Sequence, residues 1–267
     1  MEKRVVYDIG LHRGEDSEFY LRKGFRVVGI DANPDMCRVA TERLAKYIES
    51  GMFQIVNVAI APKRGAMTFY QNELSEWGTV VQDWAARNRR LGFPSREITV
   101  EAMPLSEIFP LHGAPYFMKI DIEGMDQVAV ASLLSADFRP KYLSFESEKA
   151  SIHKLEQEFV LLAQLGYDRF KVVAQHEVMR QVAPNPALEG QYVDHVFQTG
   201  ASGLFGEEAP GEWLSAAQAL KAYKSIFWKY RLYGDDPVIG GQFVRRVAHR
   251  LGLDPGWYDT HAKHSSA

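Results

Sequence analysis

At 267 residues with 46% apolar content, the chain can bury a substantial core, which excludes disorder as its main state. A formal net charge of −3 offers no broad cationic field, so nucleic acid is not an expected partner, and no run approaches the roughly twenty apolar residues of a membrane span. Cys37 is the only cysteine, which excludes an internal disulfide or a multi-cysteine zinc site; with no signal-peptide core at the N-terminus, a cytoplasmic protein is expected.

In chain order, "RVVYDI" reads as a short buried strand, "EDSEFYLRKG" as a helix closed by Gly24, and "FRVVGID" as a second strand. "NPDMCRVATERLAKYIES" has Pro34 at a helix start and Gly51 after its end, and "FQIVNVAI" follows as a third strand. This alternation implies a parallel, doubly wound α/β sheet. Residues 62–103 break the rhythm with a strand "GAMTFYQN", a helix in "TVVQDWAARNRRLGF" and a strand "EITVEAM", and are expected to form an insertion beside the site. "YFMKIDIEG" and "KYLSFESE" are strands that turn polar at their ends; "QVAVASLL" and "KLEQEFVLLAQLG" are helices, and "FKVVAQ" and "YVDHVFQ" are expected as two closing strands. Beyond Gly200 the composition changes, so residues 1–200 are read as the ligand-binding domain and 201–267 as a mostly helical lid or tail that adds nothing to the sheet. Its helices are expected in "LSAAQALKAYKSIFWKYRLYG" and "GGQFVRRVAHRLG". Basic clusters at Arg87, Arg89 and Arg90, and at Arg245, Arg246, His249 and Arg250, read as solvated helix faces.

Doubly wound sheets bind ligands beyond the carboxyl ends of their strands. Gly10 and Gly14 lie after the first strand, where glycine permits a tight turn and close approach to a ligand, and Asp31 ends the second strand, where an acid can accept hydrogen bonds from ribose hydroxyls. The spacing is G-x-x-x-G, not the nicotinamide fingerprint G-x-G-x-x-G. Asp8, Glu15 and Asp16 surround the turn; acids there repel a pyrophosphate and suit the cationic S-adenosylmethionine.

"YDIGLHRGEDSEFYL", "VVGIDANP" and "PYFMKIDIEGMD" followed by "KYLSFESE" together resemble the FkbM-type S-adenosylmethionine-dependent methyltransferases over roughly residues 5–150. The chain departs from many members with Leu11-His12 after the first glycine and Asp31 in place of Glu. The resemblance implies a Rossmann-like, class I methyltransferase sheet, S-adenosylmethionine as methyl donor and S-adenosylhomocysteine as product. It implies a cofactor site of Asp8, Gly10, Leu11, His12, Gly14, Asp16, Asp31, Ala32, Asn33 and Asp121. It further implies O-methylation of a hydroxyl or carboxyl on a natural product, sugar or peptide.

Lys119, Asp121 and Glu123 alternate along the expected strand, which puts all three on one face with Ile120 and Ile122 on the other; Glu146 and Glu148 repeat the pattern. Such ionisable groups are costly to bury unless paired or functional, and a structural ion pair is the plain alternative. Asp121, Glu123, Glu146 and His195 are the candidate catalytic residues, although a lone strand histidine is more often simply packed. The acids could take a divalent cation through oxygen ligands, yet a charged pocket explains them equally, the histidines have no zinc spacing, and no metal is expected. The first strand starts so early that no preceding cap is expected, and a homodimer is one way to supply that wall.

Two rival readings share part of this pattern. A short-chain dehydrogenase needs Tyr-x-x-x-Lys on one helix face; Tyr167 and Lys171 have the spacing but fall where a strand is expected. A non-catalytic cofactor-binding module would show the same cradle with a blocked acceptor pocket.

Overall fold

The structure is a computed structural model describing residues 4–74, 77–148, 151–233, 247, 250 and 256–266. The expected helix in 240–252 and its basic cluster fall almost wholly outside the described residues. The first strand, β1 (Val5–Ile9), is apolar except for Asp8 and buried throughout. Helix α1 (Glu15–Arg22) follows, then β2 (Arg26–Asp31), α2 (Pro34–Arg43), the short α3 (Ala45–Glu49) and β3 (Phe53–Asn57). The run "FQIVNVAI" does not continue as one strand: after Val58 it gives β4 (Ala59–Ile60), which pairs in a second sheet.

That second sheet is the 62–103 insertion with β4 at its edge. Strand β5 (Gly65–Asn72) pairs antiparallel with β6 (Ser95–Met103), β6 pairs parallel with β4, and α4 (Gln82–Arg90) lies between β5 and β6 in sequence. The main chain resumes with α5 (Leu105–His112), β7 (Phe117–Ile120), α6 (Asp126–Ala131), β8 (Tyr142–Glu146), α7 (Ile152–Gln164) and β9 (Tyr167–Ala174). Beyond them lie α8 (Ala216–Tyr233) and β10 (Tyr258–His264).

The central sheet has seven strands in the order β3-β2-β1-β7-β8-β10-β9. Its β1, β2, β3, β7 and β8 pair in parallel, and β10 runs antiparallel to both β8 and β9. Alternation along β1 sends Val5, Tyr7 and Ile9 into one apolar cluster and Val6 into the other, so both faces of the sheet are covered.

The position of β10 corrects the boundary drawn at residue 200. The C-terminal segment fills the slot between β8 and β9, with Thr260, His261 and Ala262 at most 2% exposed. Thr260 Oγ1 lies 2.5 Å from Ser147 Oγ and 2.6 Å from the Tyr223 hydroxyl, which carries α8 onto the same strand. "YDTHAKH" is polar, so its hydrophobic pattern did not mark it as a central strand; Thr260 and Lys263 find their side-chain partners on other elements, Lys263 Nζ reaching Glu207 Oε1 at 2.8 Å. Phe205, from the glycine-rich stretch after residue 200, stacks on Phe117 at a centroid distance of 4.4 Å and is likewise core.

The second correction is "YVDHVFQ", which forms no strand. Val193 and Phe197 are buried against α1, where Phe197 meets Phe19 edge-on, and Arg22 donates to the Asp194 carbonyl at 2.8 Å. The alternating pattern is met by a helix surface rather than by a strand ladder.

Deleting residues 256–267 removes a strand flanked on both sides, so the truncated protein is expected to lose its cooperative thermal transition by circular dichroism. A detachable lid would leave that transition in place.

Candidate active site at the carboxyl edge of the sheet

The turn after β1 is held by backbone bonds that few residues other than glycine could serve. Gly10 has φ +87°, its N–H and that of Leu11 donate to the Ile30 carbonyl at 2.8 and 3.0 Å, and a Cβ there would collide with the Asp121 carbonyl. Gly14, at φ +79°, opens α1, and a Cβ on it would come within 2.9 Å of the Leu44 side chain.

Behind this turn sits a buried ammonium. Lys119 Nζ donates to the Gly10 carbonyl at 2.9 Å and lies 3.1 Å from Asp8 Oδ1, 3.6 Å from Asp16 Oδ2 and 3.9 Å from Asp121 Oδ2. Burial works against its charge, but Asp8, Asp121 and Asp16 outweigh it and hold the pKa above the ordinary lysine value. Asp8 also accepts the Ser17 hydroxyl at 2.7 Å, and Asp16 accepts the Ser202 N–H through both oxygens at 3.0 and 3.1 Å. Burial pushes the Asp16 pKa up to about 6, with Lys119 opposing and Asp8 adding to the shift.

At the end of β2, Asp31 accepts the backbone N–H groups of His12 at 2.8 Å and Asn33 at 2.7 Å. His12 takes a left-handed backbone, φ 51°, to present that N–H. Burial raises the Asp31 pKa, against the two N–H bonds. Asn33 caps α2 by accepting from Asp35 N at 3.1 Å.

These ends open on a cavity of about 910 Å³. Gly10, Leu11, His12, Asp16, Asp31, Ala32, Asn33 and Asp121 line it, together with Glu123 and Glu146. Asp8 and Gly14 stand behind that surface, Asp8 fully buried, so they shape the cradle instead of facing its contents. Glu148 is turned elsewhere, accepting Ser151 N at 3.1 Å. His195 is not among the lining residues; it sits 3.1 Å from Arg22 and against Phe19 and Phe197. The alternation read through Glu123 also fails: β7 ends at Ile120, and Glu123 is in a turn at φ 46°, so Asp121, Ile122 and Glu123 all border the cavity. The Tyr167 and Lys171 pair lies on β9, Tyr167 donating to the Pro140 carbonyl at 2.8 Å and Lys171 to the Ala209 carbonyl at 2.5 Å, apart from the cavity.

Sequence reasoning missed much of the remaining wall. The insertion contributes Phe69, Trp77, Trp84 and Arg87, and the chain beyond β9 contributes Gln175, residues 198–202, Tyr230, Trp257 and Asp259. No motif marks these positions; only the insertion's expected place beside the site pointed to part of them. Asp126 accepts from Ile122 N and Gly124 N at 3.4 and 3.3 Å, and burial, then the charges of Asp121 and Glu146, push its pKa up to about 7. Asp259 is shifted upward for the same reasons. Among the described residues, no three His, Cys, Asp or Glu side chains are arranged to hold a metal ion.

Residues 8–169 match the methyltransferase FkbM domain. The chain belongs to the FkbM methyltransferase family. A stretch of 118 residues is 30% identical to trans-aconitate 2-methyltransferase from Afipia carboxidovorans, covering 42% of this chain and 43% of that relative, so the match spans under half of its length. Solved structures with a similar course include precorrin-6y C5,15-methyltransferase from Geobacter metallireducens GS-15, with TM-score 0.37, 14% identity and coverage of 65% of this chain and 70% of that one. Another is a SAM dependent methyltransferase from Archaeoglobus fulgidus, with TM-score 0.37, 12% identity and coverage of 98% and 86%. The assignment rests on the matched family domain. This FkbM protein has a mostly parallel α/β sheet covered on both faces, and the methyl donor expected from its sequence is S-adenosylmethionine. The cradle fits that donor: the space above Gly10 that a Cβ would fill, the acid closing β2, and the acids Asp16 and Asp121 at the cavity surface suit a nucleoside carrying positive charge.

Asp126 and Glu158, the latter pushed up to about 8 by burial and by the Glu148 charge, keep protons in the fold that the unfolded chain releases nearer pH 4. Because the native state binds more protons over that window, their contribution to stability falls as pH rises from about 4 toward 7 or 8. Urea unfolding of Asp126→Asn at pH 5 and pH 7.5 is expected to show a smaller loss than the parent, and equal losses would contradict the linkage.

Proposed function

We propose that this protein methylates a hydroxyl oxygen of a small-molecule, sugar or peptide acceptor. The observation that carries the reading is the row of acids, Asp121, Glu146 and Asp259, at the ends of neighbouring strands β7, β8 and β10, all facing the cavity that the cofactor turn opens on. Carboxylates in that position can take a proton from an alcohol and repel an acceptor that is itself a carboxylate.

In this reading Asp31, with Ala32 and Asn33, holds the ribose, and the turn from Gly10 to His12 lies against the nucleoside's tail. S-adenosylmethionine supplies an electrophilic methyl group. Lys119 donates to the Gly10 carbonyl from beneath and faces Asp121 at 3.9 Å, so the turn is held and the acid beside it is paired before any acceptor arrives. The acceptor oxygen gains the methyl carbon as the carbon–sulfur bond breaks and its electron pair stays on sulfur, while the hydroxyl proton passes to a rim carboxylate and on to water. Trp77, Trp84 and Arg87 from the insertion border the cavity and shape what enters it. His195, held against α1, has no part in this chemistry, and Tyr167 and Lys171, engaged in the core, do not form a dehydrogenase pair.

Incubation with methyl-labelled S-adenosylmethionine and a panel of alcohols and carboxylic acids is expected to give a base-stable methyl ether and no base-labile ester. Asp121→Asn is expected to lower turnover by about 10²-fold or more, with S-adenosylhomocysteine affinity by calorimetry changed far less. Ester products, or a fully active Asp121→Asn variant, would refute the reading.

A further inference from the structure

On the side of the cavity away from Asp31, β10 and the turn after β9 add residues outside the matched 8–169 domain. Register places Asp259 opposite Glu146 on one side and Val173 on the other, and Gln175 N–H donates to the Trp257 carbonyl at 2.9 Å. Glu146, Asp259 and Gln175 therefore follow one another along a single rim, and all three line the cavity.

Gln175 is the telling member. It is 7% exposed, and its Nε2 has no hydrogen-bond partner, although Asp259 stands on the neighbouring strand and Glu146 on the one beyond it. Buried donors in native proteins are nearly always paired, so this one points to an acceptor atom on a ligand. An ammonium would satisfy the acids but has no lone pair for Gln175. A carboxylate would accept from Gln175 but meets the negative charge of Glu146. A hydroxyl does both, accepting from Nε2 through oxygen and donating its own proton to a carboxylate. Trp257 and Tyr230 also line the cavity and add aromatic surface to it.

We propose that Gln175 and Asp259 form the acceptor subsite and select a neutral polyhydroxyl surface over a carboxylate or an ammonium. The inference rests on the methyltransferase reading and names its acceptor chemistry. Burial and the neighbouring charges of Asp121 and Glu146 raise the Asp259 pKa, which suits it to receive a hydroxyl proton.

The test uses the full chain saturated with S-adenosylhomocysteine and three probes, methyl α-D-glucopyranoside, citrate and tetramethylammonium, with binding read by saturation-transfer NMR. The glucopyranoside is expected to bind and the other two not to. Gln175→Leu and Asp259→Asn are each expected to weaken it roughly tenfold or more, with S-adenosylhomocysteine affinity unchanged as the check on folding. Gln175→Glu, which exchanges the donor for a third acid, is expected to move preference toward tetramethylammonium. Absence of glucopyranoside binding, citrate or tetramethylammonium binding equally well, or indifference to Gln175→Leu overturns the proposal while S-adenosylhomocysteine binding stands. Failure of S-adenosylhomocysteine itself to bind removes the methyltransferase reading, and this inference with it.

Discussion

A single buried ammonium ties the working edge of this protein together. Lys119 reaches from β7 to Asp8 on β1, to Asp16 on α1, to the Gly10 carbonyl in the turn and to Asp121 beyond its own strand. Taking such charges out of water is expensive, and removing one partner from a buried pair typically costs about 3–5 kcal/mol because the other is left uncompensated. The arrangement therefore holds or fails as a unit. Asp16 extends it further by accepting the Ser202 N–H, so the chain beyond residue 200 is fastened to the same network.

The cavity above that network draws on three parts of the sequence that no local rule brings together. The first half of the sheet supplies the cofactor cradle, the insertion supplies aromatic walls and Arg87, and the C-terminal segment supplies Trp257 and Asp259. The third contribution depends on β10 lying between β8 and β9. An antiparallel strand enters from the end where parallel strands finish, so its first residues arrive beside Glu146 and Gln175. The turn and the acid that ends β2 thus lie within the matched family domain, and part of the cavity wall lies outside it.

How much of this was legible in the sequence follows from which signals are local. The cradle was legible because Gly10, Gly14 and Asp31 sit at element ends whose apolar runs and caps are read within a few residues. The alternation of strands and helices up to β9 was legible for the same reason, apart from α5, which no expected element covered, and the break between β3 and β4. Strand β10 was not, because Thr260 and His261 are polar and are buried only through partners far away in sequence, Ser147 and Tyr223 for Thr260. Residues 192–198 misled in the opposite sense: their alternation is real, but Val193 and Phe197 answer to Phe19 and its helix rather than to a neighbouring strand. The turn at Glu123 shows a third limit, since a strand's carboxyl end looks the same in sequence whether it runs on or bends at Asp121. Gln175 carried no signal, because an unpaired amide is a property of the folded surroundings alone.

The measurement that tests the account most directly is a crystal structure of the protein with S-adenosylhomocysteine. The account predicts the ribose against Asp31, the homocysteine sulfur on the Asp121 side, and the rim of Glu146, Asp259 and Gln175 still open beside it. A nucleoside lying elsewhere, or filling the rim itself, would contradict it.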